Sequence, residues 1–273
     1  MDRETADRLC VINNEFYREH HDSFSETRQT AWPGWHTCLE VMEQAGLLDA
    51  DEVSVFDLAC GNLRFVKFLS EETVRTGDGS VSGGAEGACR TQNRPLSGLY
   101  AYAVDNCDAL VPDMPHVSYQ SLDIVNALLK GHDLNDCLEA PLCDVSVSFG
   151  FLHHIPYQRY REQVMLSLVR QTRPGGLAMV TCWQFLNNEA LREKAQAAHE
   201  RALAELSLPE LDGNDFLLDW KKTAGVYRYC HSFSEEEVDQ LIESVKGKAT
   251  LEARFKADGK SNDLNTYLVF RLP

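Results

Sequence analysis

Residues 53–65 read VSVFDLACGNLRF: an apolar strand closing on an acid, a turn of small residues, and the start of a helix. A strand that runs through a tight turn into a helix is the opening unit of a parallel sheet, because a parallel neighbour is reached only by a crossover. The pattern repeats along the chain. LYAYAVD closes on Asp105, SLDI follows with Asp123, and apolar runs at 144–149 and 177–183 flank a helical stretch at 159–170. This alternation predicts an α/β chain with a doubly wound, mostly parallel sheet, whose ligand crevice lies at the carboxyl ends of the strands.

The rest of the chain bounds what can occupy that crevice. Its 273 residues suit one α/β domain with insertions, and its 44% apolar and 25% charged content is that of an ordinary globular protein. No apolar run approaches the ~18 residues of a membrane span, and the first residues carry mixed charges rather than a continuous apolar stretch. We therefore expect a cytoplasmic protein with no membrane partner. The nine cysteines form no CxxC pair and none sits beside a histidine at zinc-finger spacing, so free thiols and no metal site are expected. A formal net charge of −16 weakens any non-specific hold on polyanions and weighs against a large RNA or DNA substrate. A local basic rim can still act on an acidic body, either Arg18 with Arg28 or Lys221 and Lys222 with Arg228.

Two parts are predicted. Residues 1–50 form a helical cap: an amphipathic helix over 3–21, a loop through 23–35, and a second helix that Pro33 starts and Gly46 ends. Residues 51–273 form the sheet domain, with strands at 53–58, 98–104, near 116–119, 144–149 and 177–183, and helices at 62–72 and 159–170. An RPGG turn precedes the fifth strand. Two last strand-like runs, 249–256 and 265–272, joined by the turn-rich ADGKSND, predict an antiparallel end to the sheet. Residues 75–98 are rich in Gly and Ser and read as a flexible surface loop. Residues 184–232 include a helix-forming stretch and would lie over the ligand edge as a lid or acceptor-recognition element.

The turn after the first strand indicates the ligand. Small residues at Ala59, Cys60 and Gly61 let the backbone approach a cofactor, and a helix N-terminus offers free N–H groups to a carboxylate. Asp57 can hold an ammonium and Asp105 a pair of ribose hydroxyls. Asp123 can accept from an adenine amino group while Ile124 packs on the ring. A dinucleotide would need GxGxxG to seat its pyrophosphate, and only Gly61 is present. The set therefore predicts S-adenosylmethionine (SAM), with S-adenosylhomocysteine as the product. Tyr17, Asn62, Arg64, Asn106, Phe149, Gly150 and Phe151 complete the expected cofactor residues. His153 and His154 follow the fourth strand at the start of a loop, and one of them is expected to face the acceptor pocket, as base or hydrogen-bond donor, while the other packs in the core.

The chain resembles the class I SAM-dependent methyltransferases, and more narrowly the tRNA wobble-uridine carboxymethyl methyltransferases. The resemblance rests on FSETRQTAWP (24–33), LHHI (152–155), RPGG (173–176) and RYCHSF (228–233), in that order behind the cofactor turn. It departs from that family at Ala59 and Leu63, where glycines are usual, and at Cys230, where a second tyrosine is usual. The resemblance implies a seven-stranded Rossmann-like methyltransferase sheet and esterification of a carboxymethyl group on uridine.

A carboxylate is ionised at neutral pH and is its own nucleophile, so such a reaction needs placement and a guanidinium rather than a base. Arg28 and Arg228 are the candidates for that clamp. His231, Trp32 and Tyr17 would shape the pocket, with Trp183 and Tyr227 completing the acceptor set. A hydroxyl or amine acceptor would instead require a base, His153 or His231. The acceptor is thus a tRNA, with an activating subunit as a further expected partner, or a small molecule under the lid. A SAM-binding subunit without activity is the third alternative.

Overall fold

The computed structural model describes residues 1–75, 98–221 and 223–273. The expected loop at 75–98 and the expected basic position Lys222 thus fall, apart from the loop's two ends, outside the described residues.

The N-terminal helix is longer than its hydrophobic spacing predicts. Helix α1 spans Arg3–Glu26, capped by Asp2, whose side chain accepts from the Thr5 N–H. At His20 the backbone leaves helical geometry (φ −120°, ψ 16°), and the chain bends there without ending the helix. Phe24 and Ser25, expected in a loop, therefore sit on its last turn. Helix α2 (Pro33–Gln44) starts at its proline as predicted.

The sheet follows the predicted alternation. Strands β1 (Glu52–Leu58), β2 (Gly98–Asp105), β3 (Val117–Ser121), β4 (Cys143–Ser148) and β5 (Thr172–Trp183) run parallel, linked by helices α3 (Arg64–Arg75), α4 (Ile124–Leu129), α5 (Leu134–Cys137) and α6 (Gln158–Gln171). After the insertion, with helix α7 (Glu189–Leu206) and strands β6 (Asp215–Asp219) and β7 (Tyr227–His231), the chain adds helix α8 (Glu235–Ser244), β8 (Thr250–Ala257) and β9 (Asn265–Arg271). The seven-stranded order is β3-β2-β1-β4-β5-β9-β8, with β9 antiparallel to both neighbours. The central strands bury both faces, as a sheet covered by helices on each side must.

Two local expectations are corrected. RPGG makes no turn before β5 but a bulge within it: Thr172 lies opposite Cys143 and Leu177 opposite Val145, and the residues between bow out around Gly175 at φ +78°. The insertion, expected as a lid or acceptor-recognition element with a helix-forming stretch, carries besides that helix a separate two-stranded sheet, β6 with β7. Its apolar side shares a core with the first helix, where Leu9 packs with Ala202, Leu217 and Tyr229. The first helix and the insertion therefore share one core, while the second helix packs on the sheet through Trp35, Cys38 and Met42.

Candidate functional site

The order of strands reverses between β1 and β4, and a cavity opens there at the carboxyl ends of the strands. Its floor is the turn after β1. Ala59 (φ +63°), Gly61 (φ +53°) and Leu63 (φ +56°) are all left-handed, the conformation that glycine adopts at least cost. Ala59 and Leu63 accept that strain because the Ala59 and Cys60 N–H groups are both held by the Val104 carbonyl, and Leu63 is fully buried.

Two carboxylates face this turn. Asp105 accepts from the Gly61 N–H at 2.9 Å and the Cys107 N–H at 3.0 Å. Burial raises its pKa, and these two bonds work against the rise. Asp57 is 3% exposed and has no hydrogen-bond or ion-pair partner among the described residues. Burial, with the charge of Asp105 second, raises its pKa to about 7. A buried acid opening into a cavity beside another acid is a place for a cation.

Helix α1 forms a wall that the strand pattern gave no hint of. Asn14 donates to Asp123 at 2.7 Å and accepts from Asn106 at 2.8 Å, so it ties two expected cofactor residues to the helix. Asp123 also caps α4 through the Asn126 N–H. Asn13 and Asn14 were missed in the sequence. The available signal was helical spacing, since Cys10, Asn13, Asn14 and Tyr17 share the face that lines the cavity.

The opposite end is aromatic and cationic. Gly150 (φ +72°) lies so close to Trp32 that a Cβ would come within 2.9 Å of the indole. Trp32 stacks on Trp35, and the Arg64 guanidinium lies over both rings. Arg28 lies 3.6 Å over the Phe24 ring, and burial, with Arg228 second, lowers its pKa to about 10. The Tyr17 hydroxyl sits 2.8 Å from His154 Nε2, while His154 Nδ1 is 2.9 Å from the Tyr229 carbonyl. A carbonyl only accepts, so Nδ1 carries the proton and Nε2 accepts from Tyr17. Burial and the charge of Arg228 lower the His154 pKa to about 3, so the ring is neutral.

The cavity thus brings together Arg28, Trp32, Tyr17, His154 and every residue expected at the cofactor: Asp57, Ala59, Cys60, Gly61, Asn62, Arg64, Asp105, Asn106, Asp123, Ile124, Phe149, Gly150 and Phe151. Five expected acceptor residues, His153, Trp183, Tyr227, Arg228 and His231, do not line it. Arg228 stands behind Tyr17 in an aromatic box, 5.7 Å from the Phe16 ring, 5.9 Å from Trp183 and 5.6 Å from Trp220. His153 is buried against His154 and Trp183, and burial holds its pKa well below 6.5. His231 lies in a buried charge cluster, with Nδ1 2.7 Å from Asp215 and Nε2 2.9 Å from Glu237. Tyr227 donates to Glu205. Alternation along β7 explains the split: it sends Tyr227, Tyr229 and His231 to one side and Arg228 and Cys230 to the other.

Neither Arg28 nor Arg228 has an acidic partner among the described residues. His153, His154 and Cys230 are near enough to share a metal, their ligand atoms lying within 4.8 Å of one another. The chemistry opposes it, because both His154 nitrogens are engaged and two guanidiniums lie alongside.

No protein-family model matches the chain. It is 21% identical over 203 residues to mouse (Mus musculus) tRNA (carboxymethyluridine(34)-5-O)-methyltransferase ALKBH8, a match covering 73% of this chain and 24% of that protein. In structure it is similar to Burkholderia thailandensis 1,6-didemethyltoxoflavin-N1-methyltransferase, with TM-score 0.55, 12% identity, and 98% and 90% of the two chains covered. It is also similar to SAM-dependent methyltransferases of Methanosarcina mazei (TM-score 0.52, 10% identity, 82% and 93% covered) and Clostridium acetobutylicum (TM-score 0.51, 10% identity, 95% and 98% covered). The chain has the class I SAM-dependent methyltransferase fold. Among the described residues, no helix is long and apolar enough to cross a membrane.

Proposed function

We propose that the chain is a SAM-dependent methyltransferase that esterifies a carboxylate, with carboxymethyluridine at the tRNA wobble position as the acceptor. The observation that carries this reading is the pair Arg28 and Arg228. They are two cations without acidic partners among the described residues, Arg28 lining the aromatic end of the cavity and Arg228 standing behind Tyr17 at that end, in a chain with 42 acidic side chains. A buried guanidinium unmatched by an internal carboxylate is well placed to take one from a ligand.

SAM supplies a methyl group on a sulfonium; its transfer to a carboxylate oxygen leaves a neutral thioether and releases no proton. The remaining steps belong to the chain. Asp57 takes the ammonium of the cofactor's amino-acid tail, Asp105 its ribose, and Ile124 and Asp123 its adenine. Arg28 and Arg228 orient the acceptor, and Trp32 offers a face for a planar group. Among the described residues at this end, none of His153, His154 and Tyr17 is fit to remove a proton at neutral pH. Both histidines are held far below their ordinary pKa, and burial holds Tyr17 above its own. That favours an acceptor that arrives already ionised.

A small carboxylic acid is the second reading. The strong acidity disfavours a polyanion, and the insertion is packed over the site edge. Transfer from labelled SAM into carboxymethyluridine tRNA, with and without host extract as a source of partner, separates the two. The expected product loses its label as methanol in mild alkali, as an ester must. No label in the tRNA under either condition sinks the tRNA reading. Alkali-stable label sinks the carboxylate.

Asp57 makes SAM binding depend on pH. Its pKa of about 7 lies above the 3.8 of an ordinary aspartate, so between those values the ligand-free fold holds a proton that the unfolded chain does not. That contribution to stability is present at low pH and is lost as pH rises through 7. A cationic ligand prefers the ionised carboxylate. SAM affinity should therefore rise by up to about tenfold per unit between pH 5.5 and 7, then level off. Calorimetric titrations across that range check it, and Asp57→Asn should flatten the curve. A curve of the same shape in the variant refutes the assignment.

A further inference from the structure

Arg228 can act only if the strand that carries it is held at a fixed place beside the first helix. Leu9 packs with Tyr229 and Phe16 lies under Arg228, and among the described residues of the helix Asn13 bonds the strand's backbone. Asn13, 6% exposed, donates from its amide nitrogen to the Tyr229 carbonyl at 3.2 Å and accepts the Tyr229 N–H on its amide oxygen at 2.7 Å. A peptide group has the same donor and acceptor, so the Asn13 amide pairs with Tyr229 as a neighbouring strand would. In an antiparallel pair both polar groups of one residue point to the same side, so these bonds use the edge of β7 that faces away from β6.

The other contacts of this strand give the arrangement its purpose. On one side, the Tyr229 hydroxyl and His231 both bond Asp215 at 2.7 Å, and Arg161 reaches Asp215 and Glu237 at 3.7 and 3.4 Å. On the other, Arg228 enters the aromatic box behind Tyr17. The Tyr229 carbonyl also fixes His154, which holds Tyr17. Asn13 lies one helical turn before Tyr17, so one helix face sets the strand, the hydroxyl and the arginine together.

We propose that Asn13 is a positioning residue, which locks the register of β7 against α1 so that Arg228 stands behind Tyr17, beside the acceptor end of the cavity. This inference rests on the reading of Arg28 and Arg228 as the acceptor clamp. In this role Asn13 acts through the Tyr229 backbone. Asn13→Ala removes both bonds; Asn13→Asp keeps the acceptor for the Tyr229 N–H and sets a carboxylate against the Tyr229 carbonyl.

Two measurements test it. With carboxymethyluridine tRNA as acceptor, Asn13→Ala should raise the acceptor KM about tenfold to hundredfold, the worth of one or two buried hydrogen bonds. The rise in KM should exceed any loss of kcat or of SAM affinity by at least about threefold, and Asn13→Asp should fall between that variant and the parent protein. In an Arg228→Ala background, Asn13→Ala should add nothing further, because the residue it positions is gone. An equal KM loss in that background, or parallel losses of kcat and SAM affinity, overturns the positioning role. An Arg228→Ala protein with unchanged KM overturns the clamp reading instead. The second measurement needs no acceptor: hydrogen exchange of the Tyr229 amide should quicken at least about tenfold in Asn13→Ala, while the Leu217 amide on the partner strand keeps its protection. An unchanged Tyr229 rate overturns the lock.

Discussion

Replacing Asp105 with alanine is expected to weaken SAM binding by about a hundredfold while leaving the chain folded. The carboxylate has two tasks. It would accept the ribose hydroxyls of the cofactor, at about 1.5–3 kcal/mol for hydrogen bonds to a charged group. It also holds the cofactor turn, taking the Gly61 and Cys107 N–H groups at 2.9 and 3.0 Å. Its loss frees a turn already strained at Ala59 and Leu63. The fold itself should tolerate the change, because removing Asp105 also removes the charge that crowds Asp57. Titration calorimetry with SAM and thermal unfolding without it check both halves. A dissociation constant within threefold of the parent value would falsify the placement of the cofactor.

Removing the Arg228 guanidinium should have the larger effect on turnover. Arg228→Ala is expected to lower kcat/KM for the carboxylate acceptor by about 10²–10³-fold, the scale of a buried charge pair that loses one member. Arg28→Ala should cost less, about tenfold to hundredfold, because Arg28 is only half-buried and its solvent-facing charge is weaker. SAM affinity should stay unchanged in both. The stability cost should also be small for so buried a residue. Arg228 has no acid among the described residues to leave stranded, and it forgoes its bond to Tyr17 and its contacts to Phe16, Trp183 and Trp220, about 0.5–2 kcal/mol for each cation–π contact at most. Arg228→Lys should keep the charge but lose the planar fork, and recover only part of the activity. Steady-state kinetics with calorimetry separate these outcomes. Parallel losses of SAM affinity and turnover would place Arg228 at the cofactor instead.

The cofactor side of the cavity was legible because its chemistry is local. Asp57, Gly61 and Asp105 lie in short strand–turn segments whose periodicity shows where each strand must end. The acceptor side was legible only in part. RYCHSF was read as a single motif, but a strand sends alternate residues to opposite sides, so Arg228 and His231 parted company. The double histidine divided likewise. His154 reached the cavity, held by Tyr17 and Tyr229, and His153 turned to Trp183. Asn13 and Asn14 carried no motif and read as ordinary polar helix positions. Their partners Tyr229 and Asp123 lie more than a hundred residues away along the chain.

What the chain determined by itself is the α/β alternation, the antiparallel end of the sheet and the acids at the strand ends. These depend on hydrophobic period and turn chemistry, which act over a few residues. Only the tertiary structure decided which polar groups found partners. The partner of a buried side chain is chosen by packing between distant segments, and β7 against the first helix is such a meeting. It left Arg28 and Arg228 without acids among the described residues, drew His231 into a charge cluster of its own, and gave Asn13 a backbone to hold.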